Sequence, residues 1–171
     1  MRHAFVIGGS GMLADTVLWL ADMGYSVSVI GRNEAKMERV IRQSPDRLNP
    51  VFVDYRDNSR FLQSVRQAIA ERGKIDLVVA WIHSDAPDAL PIVIAELHDA
   101  AVYHVLGSRA KRDDVKADLL IPDTIRYHQV QLGHVVEQGS RRWLTHEEIS
   151  GGVIEAIQSE KSYHVVGMNG N

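Results

Sequence analysis

The segment AFVIGGSGMLA, residues 4–14, decides the fold of this chain. Four apolar residues lead directly into a stretch with three glycines, and apolar residues then recur at spacings of three and four as far as Gly24. This order predicts a buried strand, a tight turn and an amphipathic helix. Glycine suits such a turn because a diphosphate can approach a backbone that has no Cβ, and the helix start offers free N–H groups. The segment therefore predicts a phosphate-binding turn, and a β–α turn without a ligand is the alternative.

The rest of the chain alternates short apolar runs with segments of helical periodicity. Strands are predicted at residues 4–7, 26–30, 51–53, 75–82, 101–106 and 163–166. Asn33 and Asp57 are expected to cap helices, and Thr145 with Glu148 has the spacing of a capping box. We therefore expect an α/β protein with one doubly wound parallel sheet, in a single domain of residues 1–171. Residues 107–123 are irregular, and their basic run is interpreted either as a phosphate site or as a solvated loop.

Composition excludes several classes of protein. Hydrophobic residues make up 45% of the chain and charged residues 24%, which excludes a disordered chain. The net charge of −3 provides no basic field for nucleic acid or an anionic membrane, and no apolar run approaches the ~20 residues of a membrane span. The chain has no cysteine, which excludes disulfides, thiolate metal sites and a cysteine nucleophile. We expect a cytoplasmic protein that forms a homo-oligomer, a homodimer in the simplest case.

Four segments within the first 108 residues resemble one known family, and they stand in that family's order. Residues 8–14 resemble the G-x-x-G-x-x-G/A turn of extended and atypical short-chain dehydrogenase/reductases. Residues 30–33, 53–57 and 74–79 resemble the segments of the family's second, third and fourth strands. The resemblance implies a Rossmann sheet of strand order 3-2-1-4-5-6 plus a final strand, with a bound nicotinamide dinucleotide. The turn and the resemblance together give these expected cofactor contacts: Gly8, Gly9, Ser10, Gly11, Met12, Leu13, Arg32, Asn33, Asp54, Tyr55 and Trp81.

The end of the second strand favours NADP over NAD as the cofactor. NAD-specific Rossmann domains place an Asp or Glu about 20 residues beyond the glycine turn. Here Gly31 and Arg32 stand at that point, and no carboxylate occurs before Glu34. Gly31 offers space and the planar guanidinium of Arg32 suits a 2′-phosphate. The alternative is that Arg32 merely begins a solvated helix.

The catalytic pattern of the family is missing. Its members use a tyrosine with a lysine four residues later, and none of the five tyrosines here has that lysine. The chain is also shorter than the family's usual length, which predicts loss of the long active-site helix and of the substrate lid. Ser108 resembles the family's catalytic serine, although a strand-end hydroxyl without a partner is the alternative. His83 is a weak candidate for a pocket acid, or is simply a lining residue.

Other candidates remain open at this stage. The spacing of the eight histidines predicts no metal site. Trp81 either stacks on a cofactor ring or fills the crevice, and Trp143 either anchors the last helix or lies at an oligomer interface. We expect an NADP(H)-binding oxidoreductase that acts on a small carbonyl or alcohol. The alternatives are a non-catalytic dinucleotide-binding redox sensor or partner-binding module, and a Rossmann scaffold without cofactor.

Overall fold

Parallel strands form the central sheet of the computed structural model, which describes residues 1–168. Their bounds are β1 His3–Ile7, β2 Ser26–Gly31, β3 Leu48–Phe52, β4 Leu77–Trp81, β5 Ala101–Leu106, β6 Arg126–Leu132 and, last in the chain, Tyr163–Val166. Two short strands, β7 Val135–Glu137 and β8 Ser140–Arg142, form a separate antiparallel hairpin. The strand Tyr163–Val166 is therefore β9 in chain order. The order in the described sheet is β3-β2-β1-β4-β5-β6-β9, and every neighbouring pair in it is parallel. The predicted Rossmann strand order is confirmed.

Helices cover both faces of the sheet, as a doubly wound fold requires. They are α1 Ala14–Asp22, α2 Glu34–Ile41, α3 Asn58–Arg72, α4 Ala89–Ala95, α5 Arg112–Ala117 and α6 His146–Ser159. Residues of α1, α2 and α6 form one apolar core with the sheet, and residues of α3 and α4 form the other. Within residues 1–168, no helix is long and apolar enough to cross a membrane.

Local capping chemistry sets the helix starts where the sequence predicted them. The Asn33 side chain accepts a hydrogen bond from the Lys36 N–H, and Asp57 does the same for Arg60. Thr145 and Glu148 exchange both bonds of a capping box at the start of α6. Each cap satisfies N–H groups that the first helical turn leaves without a partner.

Three parts of the fold differ from the prediction. The third strand was predicted at residues 51–53 but begins at Leu48, so Pro50 lies inside it. This strand, β3, is at the edge of the sheet, where proline is tolerated. The sixth strand was expected from the family but not located, and it is the polar segment RYHQVQL of β6. The irregular region at residues 107–123 contains the six-residue helix α5.

Trp143 does not anchor the last helix through its ring. Trp143 is 74% exposed, so its ring makes little packing contact with the protein. The neighbouring Arg142 makes that connection, because its guanidinium donates to Glu148 on α6 at 2.8 Å and to Glu137 on β7 at 2.9 Å. The hairpin is thus tied to α6 by charged groups rather than by the tryptophan.

Candidate functional site

The glycine turn joins β1 to α1 at the carboxyl edge of the sheet. Gly8 has φ +91°, a left-handed conformation that favours glycine. The helix α1 begins at Ala14, so Gly11, Met12 and Leu13 all belong to the turn. Within residues 1–168, the backbone N–H groups of Ser10 and Met12 donate to no protein acceptor. The turn therefore presents free donors of the kind that bind phosphate.

Two glycines of the turn have different roles. A Cβ on Gly9 would lie 2.8 Å from Val17 Cγ2 and 3.0 Å from Val29 Cγ1, so Gly9 lets the turn pack on the core. A Cβ on Gly11 would meet only the Gly8 carbonyl oxygen, at 3.9 Å. Within residues 1–168, no other atom beyond the two neighbouring residues therefore lies within 4 Å of a Cβ at Gly11, and this space is open to a ligand.

Leu13 was expected among the cofactor contacts. Its side chain is fully buried in the core that α1 shares with the sheet. Its N–H donates to the Gly8 carbonyl at 3.4 Å. Both observations give Leu13 a structural place in the turn.

The end of β2 carries Arg32 beside a second arginine. Arg32 Nη1 lies 3.3 Å from Asp54 Oδ2, and Arg56 Nη1 lies 3.4 Å from Asp54 Oδ1. Arg56 also donates from its backbone N–H to Asp54 and from Nε to Asp85, at 3.0 Å and 2.9 Å. The backbone N–H of Arg56 and the charge of Arg32 hold the pKa of Asp54 below its usual value. Sequence reasoning missed Arg56, although its position two residues after Asp54 in a turn was a usable signal.

The space at Gly31 is already filled by the protein. A Cβ there would lie 2.8 Å from Ser10 Oγ and 3.2 Å from Met37 Cε. Gly31 thus allows the glycine turn to approach the end of β2, with the Ser10 hydroxyl next to Gly31. The Arg32 side chain, by contrast, is 62% exposed, so the room for a ligand lies along this side chain.

Asn33 and Tyr55 both have structural partners. Asn33 Oδ1 accepts from the Lys36 N–H at 3.0 Å as the cap of α2. The Tyr55 hydroxyl accepts from the His83 N–H at 3.0 Å, which joins the loop after β3 to the loop after β4. Contact of these two residues with a cofactor stays a prediction.

A cavity of about 990 Å³ adjoins the turn, along the carboxyl ends of β4 and β5. Five residues that the sequence singled out line it: Met12, Trp81, His83, Ser108 and Trp143. Trp81 lies between two glycines, since a Cβ on Gly8 would lie 3.2 Å from its Cβ and one on Gly107 would lie 3.6 Å from its Cη2. In this structure the indole fills the crevice between the ends of β1 and β5.

The catalytic candidates Ser108 and His83 line the same cavity but are not hydrogen-bonded to each other. Ser108 is exposed at the cavity, and within residues 1–168 its hydroxyl has no hydrogen-bond partner. The His83 ring packs edge-on toward Trp81, with centroids 6.3 Å apart. Where the family would have its long helix, the chain forms only the six residues of α5 between β5 and β6. A base that could activate Ser108 is therefore not in place among these residues.

Two residues that sequence reasoning missed lie deeper, on β5 and β6. His104 lines the cavity, and its Nδ1 is 2.8 Å from the Tyr127 hydroxyl. Burial lowers the pKa of His104 to about 4 and raises that of Tyr127 to about 12. The only sequence signal for them was the alternation of polar residues in β6, which is a weak one.

The other histidines do not gather into a metal site. His3 is buried on β1, with Nε2 2.7 Å from Ser28 Oγ and Nδ1 2.8 Å from the Gly73 carbonyl. Across residues 1–168, no three His, Asp or Glu side chains converge in an arrangement that could hold a metal ion.

Comparison with known proteins agrees with the architecture. The family model described as short chain dehydrogenase matches residues 2–81. No curated protein sequence matches the chain. The solved structures described next are 14–18% identical to this chain, so they establish the fold alone.

Three of these structures illustrate the likeness. A short-chain dehydrogenase/reductase from Serratia marcescens is 18% identical with a TM-score of 0.70, covering 99% of this chain and 96% of its own. YwfH, an NADPH dependent reductase involved in bacilysin biosynthesis, is 14% identical with a TM-score of 0.73, covering 99% of both chains. A blue fluorescent protein from a metagenomic library, in complex with NADPH, is 16% identical with a TM-score of 0.68, covering 99% of this chain and 96% of its own.

The fold defines a Rossmann protein of the doubly wound class. Residues 2–81 are similar, more particularly, to the short-chain dehydrogenase family, and the similar solved structures share the fold of the chain.

Proposed function

We propose that the chain binds NADP(H) on the turn between β1 and α1 and acts as an oxidoreductase on a small carbonyl or alcohol. The observation that carries the proposal is the turn itself. It has free N–H groups at Ser10 and Met12, open space above Gly11, and a neighbouring arginine at the end of β2.

The electrostatics of the turn suit a dinucleotide with an additional phosphate. The free N–H groups would hold the diphosphate, whose charge also favours the start of α1. Arg56 is balanced by Asp54 and Asp85, whereas Arg32 pairs with Asp54 alone and its side chain is 62% exposed. Within residues 1–168, Nε and Nη2 of Arg32 make no hydrogen bond, so Arg32 can contact a 2′-phosphate without leaving Asp54. Two of the similar structures, the NADPH complex of the blue fluorescent protein and the NADPH dependent reductase YwfH, support the same choice.

The cavity supplies room for a substrate next to the turn. The cofactor, when bound, supplies the hydride chemistry, and the chain's part is to bind and orient both molecules and to exclude water. The volume of about 990 Å³ is at the upper end of the range that small-molecule sites occupy, and much of the lining is apolar. The apolar lining therefore suits an uncharged carbonyl compound or alcohol better than a highly charged one.

A non-catalytic role is the second candidate. It is favoured by the absence of the tyrosine–lysine pair, by the shortness of α5, and by Ser108 having no base in the described residues. In that case the chain would bind the dinucleotide as a redox sensor or as a partner-binding module.

Titration with NADPH tests the proposal. Tryptophan emission and nicotinamide emission should both change saturably, and a Trp81→Phe variant should remove most of the tryptophan signal because Trp81 adjoins the turn. Absence of saturable binding to NADPH and to NADH would mean a scaffold without cofactor. Where NADPH binds, oxidation of NADPH in the presence of small aldehydes and ketones distinguishes an enzyme from a sensor.

A further inference from the structure

A chain of hydrogen bonds crosses β6 and β5 and ends in the cavity. The Gln129 amide nitrogen donates to the Arg112 carbonyl at 2.9 Å and to the Tyr127 hydroxyl oxygen at 3.2 Å. The Tyr127 hydroxyl is in turn 2.8 Å from His104 Nδ1. The cavity is lined by His104 beyond this point.

The donor groups determine the direction of these hydrogen bonds. An amide NH₂ group can only donate, so the Tyr127 oxygen accepts from Gln129. The Tyr127 O–H can then donate to His104 Nδ1, and within residues 1–168 it has no other acceptor, so an accepting Nδ1 satisfies the hydroxyl where a protonated Nδ1 would not. A neutral imidazole with an accepting Nδ1 carries its proton on Nε2. The Gln129–Tyr127 pair thereby favours the Nε2–H tautomer of His104.

The Nε2–H of His104 has no acceptor in residues 1–168, and it is not among the buried unsatisfied atoms of that region. It is therefore accessible from the cavity. Burial keeps the ring neutral near pH 7 by lowering the pKa of His104 to about 4. Around it the lining is largely apolar and includes Ala86, Leu90, Leu106, Val115 and Leu119.

We propose that His104 is the recognition residue of the cavity, where its Nε2–H donates a hydrogen bond to the oxygen of a neutral, mostly apolar carbonyl compound. Tyr127 is a positioning residue that holds the imidazole in the donating tautomer. The inference deepens the proposed function by naming the substrate class, and it rests on that function only in treating the ligand as a substrate.

The lining argues for a neutral ligand over an anionic one. A neutral imidazole among apolar side chains does not compensate a carboxylate that has lost its water. The charged lining residues are Arg109 and Asp118, one of each sign, so they provide no net field for an anion. A carbonyl oxygen needs only the single donor that His104 offers.

Benzaldehyde and toluene are suitable probes because they share the ring and differ in the acceptor oxygen. Binding to the protein without cofactor is measured by ligand-observed NMR. We expect the wild-type chain to prefer benzaldehyde by about tenfold, which equals about 1.4 kcal/mol and is typical of one hydrogen bond. His104→Phe should remove the preference and retain toluene binding, since it keeps a ring and loses the donor.

A spectroscopic measurement separates recognition from a merely structural role. In ¹⁵N-labelled wild-type protein, the His104 ring should show the Nε2–H tautomer, and benzaldehyde should shift it where toluene does not. Tyr127→Phe should add the Nδ1–H tautomer and reduce the benzaldehyde preference. An Nδ1–H tautomer in the wild type, equal affinities for the two probes, or no binding of either overturns the proposal.

The two proposals fail independently. The probe experiment contains no NADPH, so its failure leaves the cofactor titration as it stands. Conversely, a chain that does not bind NADPH can still prefer benzaldehyde through His104.

Discussion

The first 81 residues and the residues after 107 follow different rules. The first region matches the family model, and its turn, its caps and its order of strands are those of a Rossmann half. The second has the six-residue α5, a strand with buried polar side chains, and the β7–β8 hairpin. Binding a dinucleotide demands a particular backbone, whereas binding a substrate demands only suitable side chains around a space. In the first region, the residue types are therefore constrained mainly at the glycines of the turn. In the second region, they are constrained mainly where a buried polar side chain needs a hydrogen-bond partner.

The largest expected effect concerns Gly11, where the constraint comes from the ligand. Gly11→Val should lower NADPH affinity at least about 100-fold, or about 2.7 kcal/mol, because the side chain would occupy the approach of the diphosphate. Folding should be unaffected, since a Cβ there meets only the Gly8 oxygen at 3.9 Å. The titration is repeated on Gly151→Val, an identical change at an open position of α6 that should leave affinity unchanged. Unaltered NADPH affinity in Gly11→Val would contradict the dinucleotide proposal.

Gly9 should show the opposite behaviour, because its constraint comes from the core. Gly9→Val places atoms against Val17 and Val29, which a Cβ alone would approach to 2.8 Å and 3.0 Å. We expect a loss of about 2–3 kcal/mol in the free energy of unfolding, typical of an overpacked core. Urea denaturation measures it, with Gly11→Val as the matched control. Equal stability of the two variants would show that the two glycines are equivalent.

Stability in acid should reveal His104, a partly buried histidine on β5 between the two regions. The unfolded His104 takes up a proton below pH 6.5 and the folded one only near its pKa of about 4, so the unfolded state binds more protons in between. Stability therefore falls as the pH decreases through that window, by about 2 kcal/mol from this group between pH 7 and pH 5. His3, whose pKa burial also lowers, adds a loss of the same sign.

Denaturation of His104→Phe at pH 7 and pH 5 checks this contribution. The variant should lose about 2 kcal/mol less on acidification than the wild type. His98→Gln, which removes an exposed ring, should behave as the wild type does. An unchanged acid dependence in His104→Phe would mean that the imidazole is accessible to protons in the folded state.

The smallest expected effect is the choice between cofactors. The wild type should prefer NADPH to NADH by at least about tenfold, or about 1.4 kcal/mol, and Arg32→Asp should reverse the order. The new carboxylate would repel the 2′-phosphate and accept from the ribose hydroxyls. Parallel titrations measure both affinities. Equal affinities in the wild type would show that Arg32 does not contact the phosphate.

Local signals made most of the fold predictable. The first strand, the caps at Asn33 and Asp57, and the strands at residues 101–106 and 163–166 depend on short apolar runs or on one side chain bonding to a nearby N–H. In the site, the glycine turn was predictable for the same reason. Its neighbour Arg56 was not, since its importance comes from a carboxylate that it shares with Arg32.

The strand β6 and the cavity were not predictable from local pattern. His128, Gln129 and Gln131 are buried polar residues, and a strand containing them lacks an apolar signature. Their partners are far along the chain: His128 Nδ1 bonds the Lys161 carbonyl and Gln131 bonds the Gly107 carbonyl. Burial of such groups depends on partners that only the assembled sheet brings within reach. His104 and Tyr127 escaped notice for the same reason.

Pro50 has a consequence for how copies of the chain can associate. Val53 N–H and Arg47 C=O bond toward β2, so alternation along the strand directs the backbone of Pro50 away from the sheet. The outer side of β3 thus lacks a donor at its middle residue, where an added strand would need one. Natural proteins use proline in this way to prevent edge-to-edge aggregation. The homodimer expected from the sequence should therefore form without extending the sheet at β3, and the chain should resist fibrous assembly from that edge.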